Sequence, residues 1–300
     1  MKRLLTAAVL SMALLNSSLA QTDKLQKKIE ERQKKELKCP SSFLKNPPVY
    51  FYCIYSDYHN HRYEEGIEKT NKALEEIEPL YRENPNATVP NATKKEARLK
   101  RKKIYQVKSD LLMLKGMLEF KKSLTVNDGE AKKLYESFYK KLQKRGFDFV
   151  QINELMNLYM KSKLVGLNEK EKKQFSDLKR KMKVKESELD NLFMKAKEAS
   201  DKADKERLKY LSAALRDINE AVKVDPENAL AHYQLGNIFS GIAAESEGES
   251  SEAAESAYYR AAVLFKKQGD TEAYKEIIKR LKQLNPNSKY LKKLGQGKDA

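Results

Sequence analysis

The chain has 300 residues with 11 glycines, 8 prolines and no tryptophan, and its formal net charge is +17, since 60 lysines and arginines outnumber 43 aspartates and glutamates. Abundant Lys, Glu, Leu and Ala favour helices, and the scarcity of alternating β-branched runs argues against a β-rich fold. With only three histidines and no nucleophile elbow, phosphate-binding loop or zinc-protease motif, we expect neither an enzyme nor a cofactor or metal site.

The first 20 residues have the pattern of a secretory signal peptide. Two basic residues precede an apolar run from Leu4 to Leu15, and Ser18 and Ala20 stand where a signal peptidase requires small side chains. The run is shorter than the roughly 20 residues of a membrane-spanning helix, and the cleavage point lacks the cysteine of a lipoprotein. We therefore predict an exported protein, periplasmic or extracellular and most simply bacterial and periplasmic, whose mature chain begins near Gln21.

Residues 21–60 are predicted to form a charged helix followed by a connector rich in cysteine, proline and aromatic side chains. Because an exported chain meets oxidising conditions, Cys39 and Cys53 are expected to form a disulfide. His59 and His61 could complete a zinc site with the two cysteines, but their spacing is not a standard one. The disulfide is therefore the expected state.

Aromatic side chains are dense from Tyr50 to Tyr63. We interpret them as a local core that covers the end of a helical array, with a peptide-binding surface as the alternative. Residues 61–205 carry apolar stripes at three- and four-residue steps. They are predicted to form a helical region of either degenerate repeats or an unrelated helical domain. Asn86 and Asn91 match the N-glycosylation pattern, which applies only if the source is eukaryotic.

The clearest internal pattern spans residues 206–294 and precedes a short tail, residues 295–300. Small and large side chains recur at helical spacing, with a proline after one helix and a Leu-Gly pair in the next. The residues that carry this packing pattern are Ala214, Ile218, Ala221, Pro226, Leu235, Gly236, Phe239, Ala254, Tyr258 and Ala261. The pattern resembles the tetratricopeptide repeat (TPR), a pair of antiparallel helices of about 34 residues. It departs from that family in an acidic, serine-rich stretch, residues 245–252, which lengthens one turn.

The resemblance implies an all-α fold, an array of antiparallel helical hairpins that forms a TPR-like α-solenoid. In that family ligands lie along the concave face formed by the first helices, and the matching positions here are Leu230, Tyr233, Asn237 and Ser240. We therefore expect an exported scaffold that binds a peptide or protein partner.

The net positive charge supports an alternative function. A basic surface attracts anionic surfaces, so the protein could instead associate with an anionic envelope polymer or lipid. No nucleic-acid partner is expected, because the signal peptide argues against one and RNA-recognition and zinc-finger patterns are missing. After the signal no segment is apolar enough to span a membrane.

Overall fold

The computed structural model describes residues 39–82, 94–245 and 251–295. The predicted signal peptide, the charged helix before Cys39, and Asn86 and Asn91 lie outside these ranges. Within them every regular element is an α-helix, which confirms the all-α prediction. In chain order the helices are α1 (Pro47–His59), α2 (Tyr63–Arg82), α3 (Lys94–Thr125), α4 (Gly129–Gln143), α5 (Phe149–Leu164), α6 (Glu169–Met182), α7 (Glu186–Val224), α8 (Ala229–Glu245), α9 (Ser251–Gln268), α10 (Thr271–Leu284) and α11 (Lys289–Gly295).

The helices divide into two compact units. Unit 2 comprises Ser123–Lys209, and unit 1 comprises the chain up to Lys122 together with the chain from Tyr210 onward. The chain thus leaves unit 1 near the end of α3 and returns to it within α7, so unit 2 is an insertion. None of the helices in the described ranges combines the length and the apolarity that crossing a membrane requires.

Unit 2 has a core of its own. Leu142 on α4, Leu155 on α5 and Leu189 on α7 are fully buried in one apolar cluster with the aromatic rings of α5 and α6. Asp148 and Asn168 begin α5 and α6 with capping boxes, in which the capping side chain and the side chain three residues later satisfy each other's backbone amides. These local signals fix where α5 and α6 begin.

The core of unit 1 joins the two separated parts of the chain. Ile54 on α1, Ala73 on α2, Leu111 on α3 and Ala221 on α7 are fully buried in a single cluster. Ser109 of α3 donates a 2.8 Å hydrogen bond to the backbone carbonyl of Ala221 across 112 residues of sequence. The C-terminal part of α7 therefore packs on α3, although unit 2 separates these two helices in sequence.

Two helix pairs of unit 1 approach each other at a glycine. A Cβ atom on Gly116 of α3 would lie 2.4 Å from Cγ1 of Ile218 on α7, and a Cβ on Gly236 of α8 would lie 2.6 Å from Cδ1 of Tyr258 on α9. The alanines that flank Ile218 and Tyr258 in the packing pattern are fully buried. The α3–α7 pair therefore meets through the same kind of contact as the α8–α9 pair.

Two proline-containing turns are fastened by polar side chains. After α7, Asn228 accepts from the amide of Ala231 at 3.0 Å and donates to Ser109 Oγ and Asp110 Oδ1 of α3 at 2.9 and 3.0 Å. After α10, Asn285 and Ser288 donate to the two carboxylate oxygens of buried Glu255 on α9, at 2.9 and 2.5 Å. The first turn is thereby held against α3 and the second against α9.

The structure also places the remaining packing residues of the sequence pattern. Leu235 is buried on α8, Phe239 is half-buried, and Pro226 is exposed in the turn before α8. Exposure suits Pro226, because it has no amide hydrogen to donate and needs no partner there.

The predicted disulfide between Cys39 and Cys53 is confirmed, with the two Cα atoms 6.0 Å apart. Beside it Phe43 is only 2% exposed, and Ser42 Oγ donates a 2.7 Å hydrogen bond to Glu76 of α2. The connector therefore closes the apolar end of α1 and α2. Because both thiols are joined in the disulfide, the cysteines are not free to act as zinc ligands.

The glycine contact gives a test of the α3–α7 pairing. We expect Gly116→Ala to destabilise the protein by about 1–3 kcal/mol, because the new methyl group overpacks the contact with Ile218. Without that contact, alanine within a helix would instead stabilise by roughly 1 kcal/mol. Urea unfolding followed by circular dichroism measures the difference. The double variant Gly116→Ala, Ile218→Ala should lose less than the sum of the two single variants, and a stabilised Gly116→Ala protein would contradict the pairing.

Candidate functional site

The predicted partner-binding residues lie on α8 at three- and four-residue steps, which places them along one side of the helix. Tyr233, Asn237 and Ser240 are half-buried. Leu230 is also half-buried, but it packs against two apolar clusters of unit 1. The structure therefore brings the three polar side chains together and uses Leu230 in packing.

Tyr233 lies between a second tyrosine and an arginine. Its ring centroid is 5.9 Å from that of Tyr258 on α9, and the guanidinium carbon of Arg280 on α10 lies 5.7 Å from the same centroid. Arg280 Nε is also 3.2 Å from a carboxylate oxygen of Glu276. A cation over an aromatic face is a favourable contact, so Arg280 fixes the Tyr233 ring while its side chain stays 38% exposed.

Asn237 is oriented by its neighbours. The hydroxyl of Tyr258 donates to Asn237 Oδ1 at 2.8 Å, and Asn237 Nδ2 donates to Gln234 Oε1 at 3.0 Å. Burial raises the pKa of the Tyr258 hydroxyl to about 12, so this hydroxyl keeps its proton at neutral pH. The amide of Asn237 is therefore held in one orientation before any ligand arrives.

Helix α1 contributes aromatic side chains to the same part of unit 1. The rings of Tyr55 and Tyr58 are nearly parallel, with centroids 6.2 Å apart, and His59 meets Tyr55 edge-on at 4.3 Å. Burial raises the pKa of the Tyr58 hydroxyl to about 12, with smaller contributions from the nearby hydroxyls of Tyr63 and Tyr233. Tyr58 thus lies near Tyr233.

We call the set His59, Tyr55, Tyr58, Tyr233 and Tyr258 the aromatic band. It extends from α1 through α8 to α9, where Tyr258 is only 2% exposed and packs in the core against the half-buried Tyr233. Other aromatic residues from the dense segment behave differently, because Tyr50 and Tyr63 are only 4% and 5% exposed in the core. The segment therefore supplies a local core through one set of rings and a half-buried surface through Tyr55 and Tyr58.

Sequence reasoning missed two members of this site. The sequence pattern predicts Tyr258 as a helix-packing residue, and its side chain is indeed buried. Its hydroxyl also orients Asn237, which the pattern does not indicate. Arg280 was not singled out, because one arginine among many basic residues has no distinguishing local pattern. Only the packing of α10 beside α9 places it near Tyr233.

A second polar cluster is buried between α3 and α7. Glu119 and Asp217 are each 5% exposed. Lys115 Nζ is 2.9 Å from an Asp217 oxygen but 3.9 Å from Glu119, and the mostly exposed Arg216 is 2.9 Å from the other Asp217 oxygen. Asp217 therefore has two close cations, whereas Glu119 has one distant cation and an oxygen, Oε2, without a hydrogen bond.

This imbalance makes Glu119 titratable near neutrality. Burial is the main cause that raises its pKa to about 7, and the charge of Asp217 adds to it. Burial likewise raises the pKa of Asp110 on α3 to about 7, against the lowering effect of the hydrogen bond from Asn228. Both carboxyls bind protons more tightly in the folded chain than in an unfolded one.

The sign of the resulting pH dependence follows from linkage. Carboxyl groups whose pKa is raised by folding stabilise the protein below their unfolded pKa, near 4, and lose that contribution as the pH rises through about 7. The free energy of unfolding should therefore fall between pH 5 and pH 8. We expect this fall to be smaller by about 2 kcal/mol in Glu119→Gln, which has no carboxyl group at that position. Urea titrations at several pH values measure this. Glu136→Gln on exposed α4 is the control, and an unchanged decline in Glu119→Gln would contradict the assignment.

Comparisons with protein-family models, curated proteins and solved structures find no match to this chain. Among the described residues no group of histidine, cysteine and acidic side chains is arranged to hold a metal ion. The candidate site therefore rests on the geometry of the aromatic band and its polar neighbours.

Proposed function

We propose that this protein is an exported, non-enzymatic scaffold that binds an extended segment of a protein partner along the aromatic band of unit 1. The observation that carries the proposal is the placement of Tyr233 between Tyr258 and Arg280 and near Tyr58. Tyrosine and arginine are the residues that most often supply binding energy at protein interfaces. Tyrosine offers a large rigid surface with a polar end at little cost in side-chain entropy.

The helix pairs support a TPR-like array as the framework. The glycine contact recurs in the α3–α7 and α8–α9 pairs, and Ile218 and Tyr258 take the same place in the two second helices. Unit 2 accounts for the late start of the repeat pattern in the sequence. The first helix of the hairpin that ends near Pro226 is α3, which stands before the insertion. Helices α3 and α8 are then first helices of successive hairpins, and the predicted partner-binding residues lie on α8.

The polar groups along the band suit a backbone ligand. Arg280 donates hydrogen bonds, the hydroxyls of the half-buried tyrosines both donate and accept them, and the Asn237 amide is already oriented. An extended segment exposes unpaired carbonyl and amide groups that can meet such side chains, while its own side chains lie on the rings. The disulfide is compatible with export, because such bonds persist in oxidising compartments.

A displayed library of random peptides tests this function with the full mature chain. We expect selected peptides to bind with dissociation constants of about 1–100 μM, and Tyr233→Ala to weaken them at least about tenfold through loss of a central aromatic contact. The matched control is Tyr259→Ala, since Tyr259 is also half-buried and meets Tyr290 at 5.1 Å, outside the band. Isothermal titration calorimetry measures both variants. Selection of no peptide, or equal losses in the two variants, would contradict the proposal.

A further inference from the structure

The outer face of α4 in unit 2 carries a row of lysines without counter-ions. Lys133, Lys140 and Lys144 are exposed and follow one another at steps of seven and four residues, so they share one side of the helix. They form no ion pair within the part of the chain that the structure describes. Ser137 stands between the first two lysines, and the neighbouring Glu136 is the one acidic side chain that lines the same surface. We call Lys133, Ser137, Lys140 and Lys144 the lysine row.

The lysine row lies along a shallow surface depression of about 650 Å³. Lys141, Arg145 and Glu136 form its remaining lining. Lys141 pairs with Glu188 of α7, and Arg145 donates a 3.1 Å hydrogen bond to the carbonyl of Met182. These two side chains are thus held at one edge, and the three lysines of the row remain free to meet a ligand.

A comparable row on α6 serves as a matched control. Lys170, Lys173 and Lys181 also share one side of their helix, but Asp177 stands among them and pairs with Arg180 at 2.9 Å. None of these three lysines lines the depression beside α4. The α6 row therefore offers the same charge without that surface.

We propose that the lysine row binds a linear polyanion, a polymer with one negative charge on each repeat unit. The row covers about 16 Å along the helix, at roughly 1.5 Å per residue, which is long enough for several charged units. Lysine ammonium groups are compact point charges that donate hydrogen bonds to phosphate or carboxylate oxygens in several directions. This site lies in unit 2 and takes a different class of ligand from the aromatic band, so it does not rest on the function proposed for unit 1.

The lining distinguishes a polymer from other anionic partners. No apolar side chain lines the depression, so the face has nothing to insert between lipid acyl chains. No aromatic side chain lines it either, and single-stranded nucleic acid would require such a stacking surface. A polymer recognised through its charges alone fits the residues that are present.

Binding of inorganic polyphosphate to the full mature chain tests the proposal by fluorescence anisotropy over a range of salt concentrations. The variant Lys133→Gln, Lys140→Gln, Lys144→Gln should weaken binding at least about tenfold and reduce the slope of log affinity against log salt by about three, one for each lost contact. The matched control Lys170→Gln, Lys173→Gln, Lys181→Gln changes the net charge equally and should alter affinity less than about twofold. Circular dichroism verifies that both variants stay folded.

Two outcomes would overturn the inference. Equal weakening in the two triple variants would show that polyphosphate responds to overall charge and not to the lysine row. Vesicles that contain an anionic phospholipid form the second arm. If they bind as tightly as polyphosphate and lose binding in the α4 variant alone, the row belongs to a membrane-surface site and the polymer assignment is wrong.

Discussion

The close contact between Gly116 of α3 and Ile218 of α7 is the constraint on which unit 1 depends. It joins two stretches of chain that unit 2 separates, and a side chain larger than hydrogen at residue 116 would force the helices apart. With α7 fixed on α3, the turn that follows is held by Asn228, whose side chain also caps α8. The position of Tyr233 on α8, and with it the aromatic band, follows from that chain of contacts.

The α3–α7 and α8–α9 pairs share the glycine contact but differ in the residues around it. Lys115 stands where α8 has Leu235, and Glu119 stands where α8 has Phe239. In α3 these two side chains form the buried charged cluster with Asp217, so this interface contains ion pairs as well as apolar packing. Burial of one poorly compensated carboxyl is costly, and the proton that Glu119 retains near neutrality lowers that cost.

These differences between α3 and α8 explain which parts of the fold the sequence could predict. The all-α fold was predicted from local signals, namely the apolar helix stripes and the small and large residues near Ile218 and Tyr258. The disulfide was predicted from composition, since Cys39 and Cys53 are the two cysteines of a chain expected to be exported. The partnership of α3 with α7 could not be predicted in this way, because Lys115 interrupts the Leu-Gly signature and the partner lies beyond the insertion. The role of Arg280 could not be predicted for a similar reason. Contacts between helices, and not its neighbours in sequence, bring Arg280 close to Tyr233.

Unit 1 is a single folded structure built from two stretches of chain, and unit 2 is inserted between them in sequence. The two unit 1 residues that flank the insertion lie close together. The Lys122 ammonium is 5.9 Å from the centroid of the Tyr210 ring. Replacing residues 123–209 with a short glycine-containing turn and measuring urea unfolding by circular dichroism and tyrosine fluorescence tests the claim directly. We expect a helical protein with a single cooperative transition by both probes. A shortened chain that is unfolded, or that unfolds without a cooperative transition, would contradict it.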